Sequence, residues 1–372
     1  MSLKVVFVLA RSDEIGGAHI HVKDMANHVI LMGGQAVVVA GGNGVFADLI
    51  RANGIRFISI PSLGREISVP NDLFALFCLN KVIRGLRYDL VSAHSAKAGL
   101  LIRLLGLGPD FPPVIFTAHG WSFAFGIPVL QRKFYLYLER FLSLLPAQII
   151  TVCNSDRLLA LAQGVSGASK MSVIYNGMPS LPRHFRPSFK LRSDPRVQLV
   201  SIARYEKQKD HDTLLRALAS IPGDNWRLSL IGDGPDLESV KRLASQLGIL
   251  ANLDFLGRCQ NVPFHLDSAD IFVLSSHWEG FPRSILEAMR SSLPVVASNV
   301  GGVSESVIDN FNGFCIPPRD IHALASALLK LISNPELRMI MGDRGRSLFD
   351  AKFTFSRMSS ETWDLYCKVL KS

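Results

Sequence analysis

Short runs of apolar, mostly β-branched residues recur through the first half of the chain: VVFVLA (5–10), AVVVAG (36–41), RFISI (56–60), DLVSAH (89–94), VIFTAH (114–119) and QIITVC (148–153). Most are apolar throughout rather than alternating, as strands buried on both faces must be. Amphipathic stretches separate them, so the pattern predicts strand–helix–strand units and a parallel sheet. The units close near Tyr175–Met178. Residues 179–196 (PSLPRHFRPSFKLRSDPR) carry Pro, Ser and charge without any period and read as a linker. The pattern then restarts with VQLVSIA (197–203), WRLSLIG (226–232), LDFLG (253–257), IFVLSS (271–276), PVVAS (294–298) and GFCIP (313–317). A last amphipathic segment covers 355–370. The expectation is an α/β chain of two doubly wound parallel-sheet domains, 1–180 and 197–354. A linker over 181–196 joins them, and a helix over 355–372 returns toward the first domain. Ligands of such sheets bind outside the strand C-termini, so two halves would share one central cleft.

Composition narrows the function classes. The 372 residues suffice for two cores, and 48% hydrophobic against 19% charged residues excludes a disordered chain. The formal charge of +9 favours anionic partners. Residues 1–180 hold 16 basic and 10 acidic side chains, so most of the excess lies in the first half. Five scattered cysteines without a Cys-x-x-Cys pair exclude a recognisable zinc or redox motif and suit a reducing, cytoplasmic compartment. The run 5–10 is too short for a signal peptide, and no uncharged apolar run reaches the length of a membrane span.

Candidate chemistry concentrates in SSHWEGFPRSILEAM (275–289). A strand ends near Ser275, a loop carries Glu279, Pro282 stands where a helix begins, and Glu287 lies inside that helix. Free N–H groups around 281–285, including those of Phe281 and Arg283, would offer donors to hydroxyls or phosphates. Two carboxylates eight positions apart suit the two ends of a polyhydroxylated ligand, although acids matched to a helix dipole would look the same.

Here the sequence resembles the retaining glycosyltransferases of the GT-B fold, family-4-like (group 1), with their two Rossmann-like domains. The resemblance rests on Glu279 through Glu287 followed by PVVASNVGGVSE (294–305), and on further segments in order across nearly the whole chain: Gly16–Gly17, His94–Ser95, His119–Gly120–Trp121, Asn154–Ser155, Tyr175–Asn176–Gly177, Arg204 with Lys209, and Gly232–Asp233–Gly234. It implies a sugar moved from a nucleoside-diphosphate donor, UDP by default with GDP-mannose left open, without metal or cofactor. Glu287 would hold the ribose hydroxyls and Glu279 would lie beside the donor sugar. Arg204 and Lys209 would neutralise the departing diphosphate, and as a solvated cluster the same cations would be unremarkable. Gly16 and Gly17 would let backbone amides approach the diphosphate, unless they merely serve a turn of positive φ. Gly232 and Gly234 belong to the same donor set. His119 would lie against the donor sugar at the reacting centre, where the leaving phosphate can take the acceptor proton; beside Trp121 it could equally be a packed ring. Two positions depart from the family pattern: Pro282 removes a backbone donor that Gly supplies in many relatives, and Ser292 replaces a glycine, at a cost of about 1 kcal/mol if φ there is positive.

Acceptor binding falls to the first domain, with His94, Ser95 and Lys97 in the loop after a strand, joined by Trp121 and Asn154. TAHGWSF (117–123) looks like enzymes of capsule, exopolysaccharide and O-antigen assembly, which implies an undecaprenyl-pyrophosphate-linked glycan as acceptor. LIRLLGLG (101–108) and LQRKFYLYLERFLSLL (130–145) mix basic and apolar residues, as peripheral segments on an anionic membrane do; the alternative is core-packed helices with basic rims. Asp210–His211–Asp212 spells the acidic pair of metal-dependent relatives but starts a helix, so N-capping accounts for it. His19 and His21, two apart on a helix, point to different faces and make a poor metal pair. Gly41–Gly42–Asn43–Gly44 is a turn, not a dinucleotide fingerprint. A 2-epimerase of the same fold and a non-enzymatic sugar-binding protein are the alternative readings. Nucleic acid is not expected, because no aromatic RNA-binding run or basic helix stands out.

Overall fold

The computed structural model describes residues 2–64, 66–124, 126–145, 147–181, 194–259 and 261–371. Most of the expected linker, 182–193, lies outside the described residues. The chain divides into two compact units, Met1–Asn176 with Met358–Ser372, and Gly177–Arg357.

The first unit alternates β1 (Lys4–Val8), α1 (Gly17–Leu31), β2 (Gln35–Ala40), α2 (Val45–Ala52), β3 (Arg56–Ser59), α3 (Val69–Leu86), β4 (Leu90–His94), α4 (Ala96–Leu105), β5 (Val114–Ala118), α5 (Val129–Leu142), β6 (Gln148–Thr151), α6 (Asn154–Ala162) and β7 (Met171–Val173). Every pair in the sheet is parallel, in the order β3-β2-β1-β4-β5-β6-β7. The apolar runs are buried as their composition requires: every residue from Val5 to Val8 and from Val37 to Ala40 is excluded from solvent. At 1.5–3 kcal/mol per large side chain, roughly, such strands supply most of the gross driving force. β7 has no counterpart among the expected strands, because three residues at a sheet edge are too few to leave a pattern.

The second unit runs β8 (Val197–Ile202), α7 (His211–Ala219), β9 (Trp226–Ile231), α8 (Leu237–Gln246), β10 (Leu253–Gly257), α9 (Val262–Asp267), β11 (Ile271–Leu274), α10 (Arg283–Arg290), β12 (Val295–Ser298), α11 (Val303–Ser306), β13 (Gly313–Ile316), α12 (Ile321–Ser333) and α13 (Pro335–Lys352). Its sheet is also wholly parallel, in the order β10-β9-β8-β11-β12-β13. Helix α14 (Phe355–Val369) begins in the second unit and continues into the first.

Both sheets therefore reverse direction of build, between β1 and β4 and between β8 and β11. A parallel sheet opens a crevice at such a switch point, on the side of the strand C-termini. The loops that leave those ends are the places to look for chemistry.

Candidate functional site

In the first unit the loop after β4 contains one strained residue. Ser95 sits at φ 146°, and its Oγ accepts from the amide of Ala98 (3.4 Å), capping α4, and from that of Ala10 (3.3 Å), in the loop just past β1. The residue expected to meet acceptor thus clamps the switch point itself. Lys97 lies within α4 rather than in a loop. It is buried, ion-paired with Asp72 at 2.5 Å and bonded to the Glu66 carbonyl, so its charge is balanced inside the protein. Trp121 is likewise a core residue, stacked on Phe123 with its Nε1 donating to the Asp156 carbonyl at 2.8 Å. Asn154 begins α6.

His94, the last residue of β4, and His119, just past β5, meet through Nδ1 and Nε2 at 3.1 Å. His94 is fully buried, and desolvation first, then the neighbouring His119, hold its pKa well below the usual imidazole range. His21 packs its ring on both, with centroids 5.3 and 5.0 Å away. Helix spacing does send His19 elsewhere, onto Phe46 and the Arg11 carbonyl. No spacing in the chain announced that His21 would join two strand ends. Among the described residues, these three histidines form the one group that could hold a metal ion, their ligand atoms lying within 4.8 Å of one another. Gly16, the N-cap of α1, has φ −131°, so no positive φ explains the glycine; its amide donates to His19 Nδ1 at 3.2 Å. Gly17 is the first, exposed residue of the helix.

In the second unit the equivalent loops bring charges together. Lys209, closing a short 3-10 turn after β8, is ion-paired with Glu279 in the loop after β11. The Glu279 side chain is 6% exposed and also accepts from Ser276 Oγ at 2.7 Å. Gln208 laces the same two loops, donating through its side chain to the Trp278 carbonyl (2.8 Å) and accepting the His277 amide at its own carbonyl (2.8 Å). Arg204 is half exposed and pairs with Glu206 at 2.8 Å.

The glycines here are steric necessities. A Cβ on Gly232 would lie 2.0 Å from the Ala203 carbonyl oxygen, one on Gly234 2.4 Å from that of Tyr205, and one on Gly301 1.9 Å from that of Glu279. The loop after β9 packs backbone to backbone on the loop after β8, and the loop after β12 on that after β11, which fixes the backbone at Arg204 and Glu279. Asp210 caps α7 through the Thr213 amide (3.3 Å), as its place before a helix predicts.

Pro282 is the N-cap of α10, one position before the expected one, and Arg283 is the first helical residue. Phe281 is buried against Phe353 (5.4 Å), so its side chain serves packing. Glu287 lies on α10 with its carboxyl pKa raised by desolvation, which Arg283 and Arg290 oppose. Ser292 has φ 54°, so the backbone there does demand the left-handed region. The sequence signals for these contacts are modest: Ser92 and His94, two apart in a buried strand, must share a face, and Ser276 precedes Glu279 by three.

Two doubly wound parallel sheets, each with polar groups at its switch point, are the GT-B architecture. The crystal structure of Anabaena Alr3699/HepE in complex with UDP shares the fold, at TM-score 0.82 and 21% identity over 99% of this chain and 100% of that one. Residues 15–180 match the family model described as Glycosyltransferase Family 4, and residues 185–348 that described as Glycosyl transferases group 1. The putative glycosyltransferase EpsD of Bacillus subtilis is 30% identical over 325 residues, 83% of this chain and 84% of that protein. The chain belongs to this glycosyltransferase family. The UDP-Gal:alpha-D-GlcNAc-diphosphoundecaprenol alpha-1,3-galactosyltransferase of Escherichia coli is 28% identical over 333 residues, 86% of this chain and 85% of the relative.

Proposed function

We propose that the protein transfers a hexose or N-acetylhexosamine, with retention and without metal, from a UDP-sugar to a glycan on a lipid diphosphate, in the assembly of a bacterial surface polysaccharide. The Lys209–Glu279 pair at the β8/β11 switch point carries this reading. A lysine ammonium has three donors, and among the described residues Glu279 is the one partner recorded for that of Lys209. Two donors remain to meet diphosphate oxygens, while the Glu279 carboxylate, held by Ser276 and Lys209, can accept from a sugar hydroxyl. Glu287, whose pKa is raised toward the neutral form, gains from the two hydroxyl donors of a ribose. Arg204 and Lys209 stabilise charge as the anomeric C–O bond to phosphate breaks. The acceptor oxygen bonds to the same face of that carbon, and its proton passes to the departing phosphate oxygen. The Escherichia coli relative, a UDP-Gal:alpha-D-GlcNAc-diphosphoundecaprenol galactosyltransferase, supports both the donor and the acceptor class.

Thermal shift against UDP, GDP and ADP sugars tests the donor assignment. UDP-sugars are expected to raise Tm in wild type and not in Glu287→Gln; a GDP-sugar shift alone would replace the base. Full activity in EDTA is expected, and loss restored by a divalent ion would overturn the metal-independent reading. Epimer formed from UDP-GlcNAc without acceptor would favour the epimerase alternative.

Attachment to an anionic bilayer, on the cytoplasmic side where such donors are made, belongs to the same proposal. Leu130, Phe134, Tyr137, Phe141 and Leu144 recur along one side of α5 and its end and are all exposed, beside Arg132, Lys133 and Arg140. Val69, Leu73, Phe74 and Phe77 are exposed on α3. The stretch 101–108 does not contribute as expected: Leu101, Ile102 and Arg103 of α4 are buried in the core. Among the described residues no helix is long and apolar enough to cross a membrane. Flotation with phosphatidylglycerol vesicles that fails, or is indifferent to salt, would remove this part.

A further inference from the structure

A line of buried polar atoms in the first unit reaches His119. The Tyr366 hydroxyl, on α14, lies 3.0 Å from Ser92 Oγ on β4. Ser92 Oγ lies 2.9 Å from His94 Nε2, and His94 Nδ1 lies 3.1 Å from His119 Nε2. Tyr366 is 1% exposed, and Ser92 and His94 no more than that. Water therefore has little access to the first three groups, and each proton must find its acceptor within the line.

The direction of the line follows from its closed end. Among the described residues Ser92 is the one partner recorded for the Tyr366 hydroxyl. Burial also raises the phenol pKa above its ordinary value, so the proton stays on. A buried phenol proton without an acceptor is unfavourable, so Tyr366 donates to Ser92. The single serine proton then goes to His94 Nε2. An imidazole whose Nε2 accepts the serine proton is neutral and carries its own proton on Nδ1. Nδ1–H of His94 therefore donates to Nε2 of His119. With Nε2 accepting, His119 keeps its own proton on Nδ1.

We propose that Tyr366, Ser92 and His94 are positioning residues that lock His119 as the Nδ1–H tautomer, a hydrogen-bond donor of fixed direction. This rests on the reading of His119 given above. Reversed polarity would strand the tyrosine proton in the core. The direct N···N contact also offers a use for the histidine cluster other than metal binding. His21, edge-on to His119 at 78°, limits how far the ring can turn.

The test needs no substrate at first. In full-length protein labelled with 15N-histidine, the His119 resonances, assigned by their loss in His119→Gln, are expected to show Nδ1 protonated and Nε2 bare at pH 7.5. Ser92→Ala and Tyr366→Phe are expected to return His119 to a tautomer mixture, and Ser92→Thr, which keeps the hydroxyl, to restore the lock. Donor kcat/KM is expected to fall roughly 3- to 10-fold in Tyr366→Phe and to recover in Ser92→Thr relative to Ser92→Ala. His119 protonated at Nε2 in wild type, or a tautomer unmoved in both Ser92→Ala and Tyr366→Phe, overturns the proposal. So does one equivalent of Zn2+ bound at nanomolar concentration with both His94 and His119 resonances displaced. A locked tautomer together with unchanged transfer by His119→Gln supports the relay and removes His119 from the reaction, so the two readings fail separately.

Discussion

The first unit gathers imidazole rings and a capping serine at its switch point, whereas the second gathers opposite charges at the topologically matching place. His94 is kept neutral by burial, while Lys209 and Glu279 are held together as ions. The sheet orders are the same in kind, so the strands do not decide the chemistry. The loops decide it. In the second unit glycines let four loops pack backbone to backbone, and the ions stand on that rigid floor. In the first, a strand serine and a distant tyrosine support the rings from behind. A site that must receive a dianionic diphosphate needs fixed charge of opposite sign; a site that must orient a hydroxyl needs donors of known direction.

The largest expected effect separates structural charge from functional charge. Arg103 and Glu139 form a buried ion pair at 2.8 Å in the first unit, and burial raises the Glu139 carboxyl pKa even against its arginine. Arg103→Ala leaves that acid uncompensated and is expected to cost about 3–5 kcal/mol in urea unfolding. The UDP-sugar thermal shift should survive wherever the variant is folded. Loss of the shift in folded protein would break the division of labour between the units.

Lys209→Ala comes next. A fall in kcat of about 10²–10³-fold is expected, together with lower stability because Glu279 loses its partner; Lys209→Ala/Glu279→Gln should recover much of the stability and none of the rate. Recovery of rate in the double variant would make the pair structural.

Glu287→Gln is expected to weaken UDP-sugar binding roughly 10- to 100-fold, the worth of about one to two strong hydrogen bonds. It should also stabilise the free protein. The folded carboxyl pKa lies above the unfolded one. Ionisation therefore costs nothing well below the unfolded value, and the penalty grows as pH rises through the folded one. The gain in Tm from Glu287→Gln should then be larger at pH 7 than at pH 4, on the order of 2 °C. An equal gain at both values would show that desolvation of the charge is not the cause.

The smallest effect is at Ser292. Relief of its φ of 54° by Ser292→Gly is expected to add about 0.5–1 kcal/mol, read from the urea midpoint, with transfer unchanged. A destabilised variant would mean that the serine side chain holds the turn.

The sequence by itself determined the doubly wound architecture, because strands buried on both faces must be apolar throughout and stand out between amphipathic helices. It also located Arg204 and Lys209 after a strand, Glu279 in a loop and Glu287 inside a helix, since those residues sit at fixed offsets from strand ends and helix starts, and it identified Asp210 as a cap. Tertiary structure alone decided which neighbours they met. Lys97 turns inward to Asp72, Trp121 enters the core, and Leu101, Ile102 and Arg103 are buried, while the stretch 130–145 keeps Leu130, Phe134, Tyr137, Phe141 and Leu144 in solvent. Tyr366 reaches Ser92 across 274 positions. Local periodicity reports which face of an element is apolar, but contacts between residues so far apart depend on how the helices pack, and no short window of sequence contains that information.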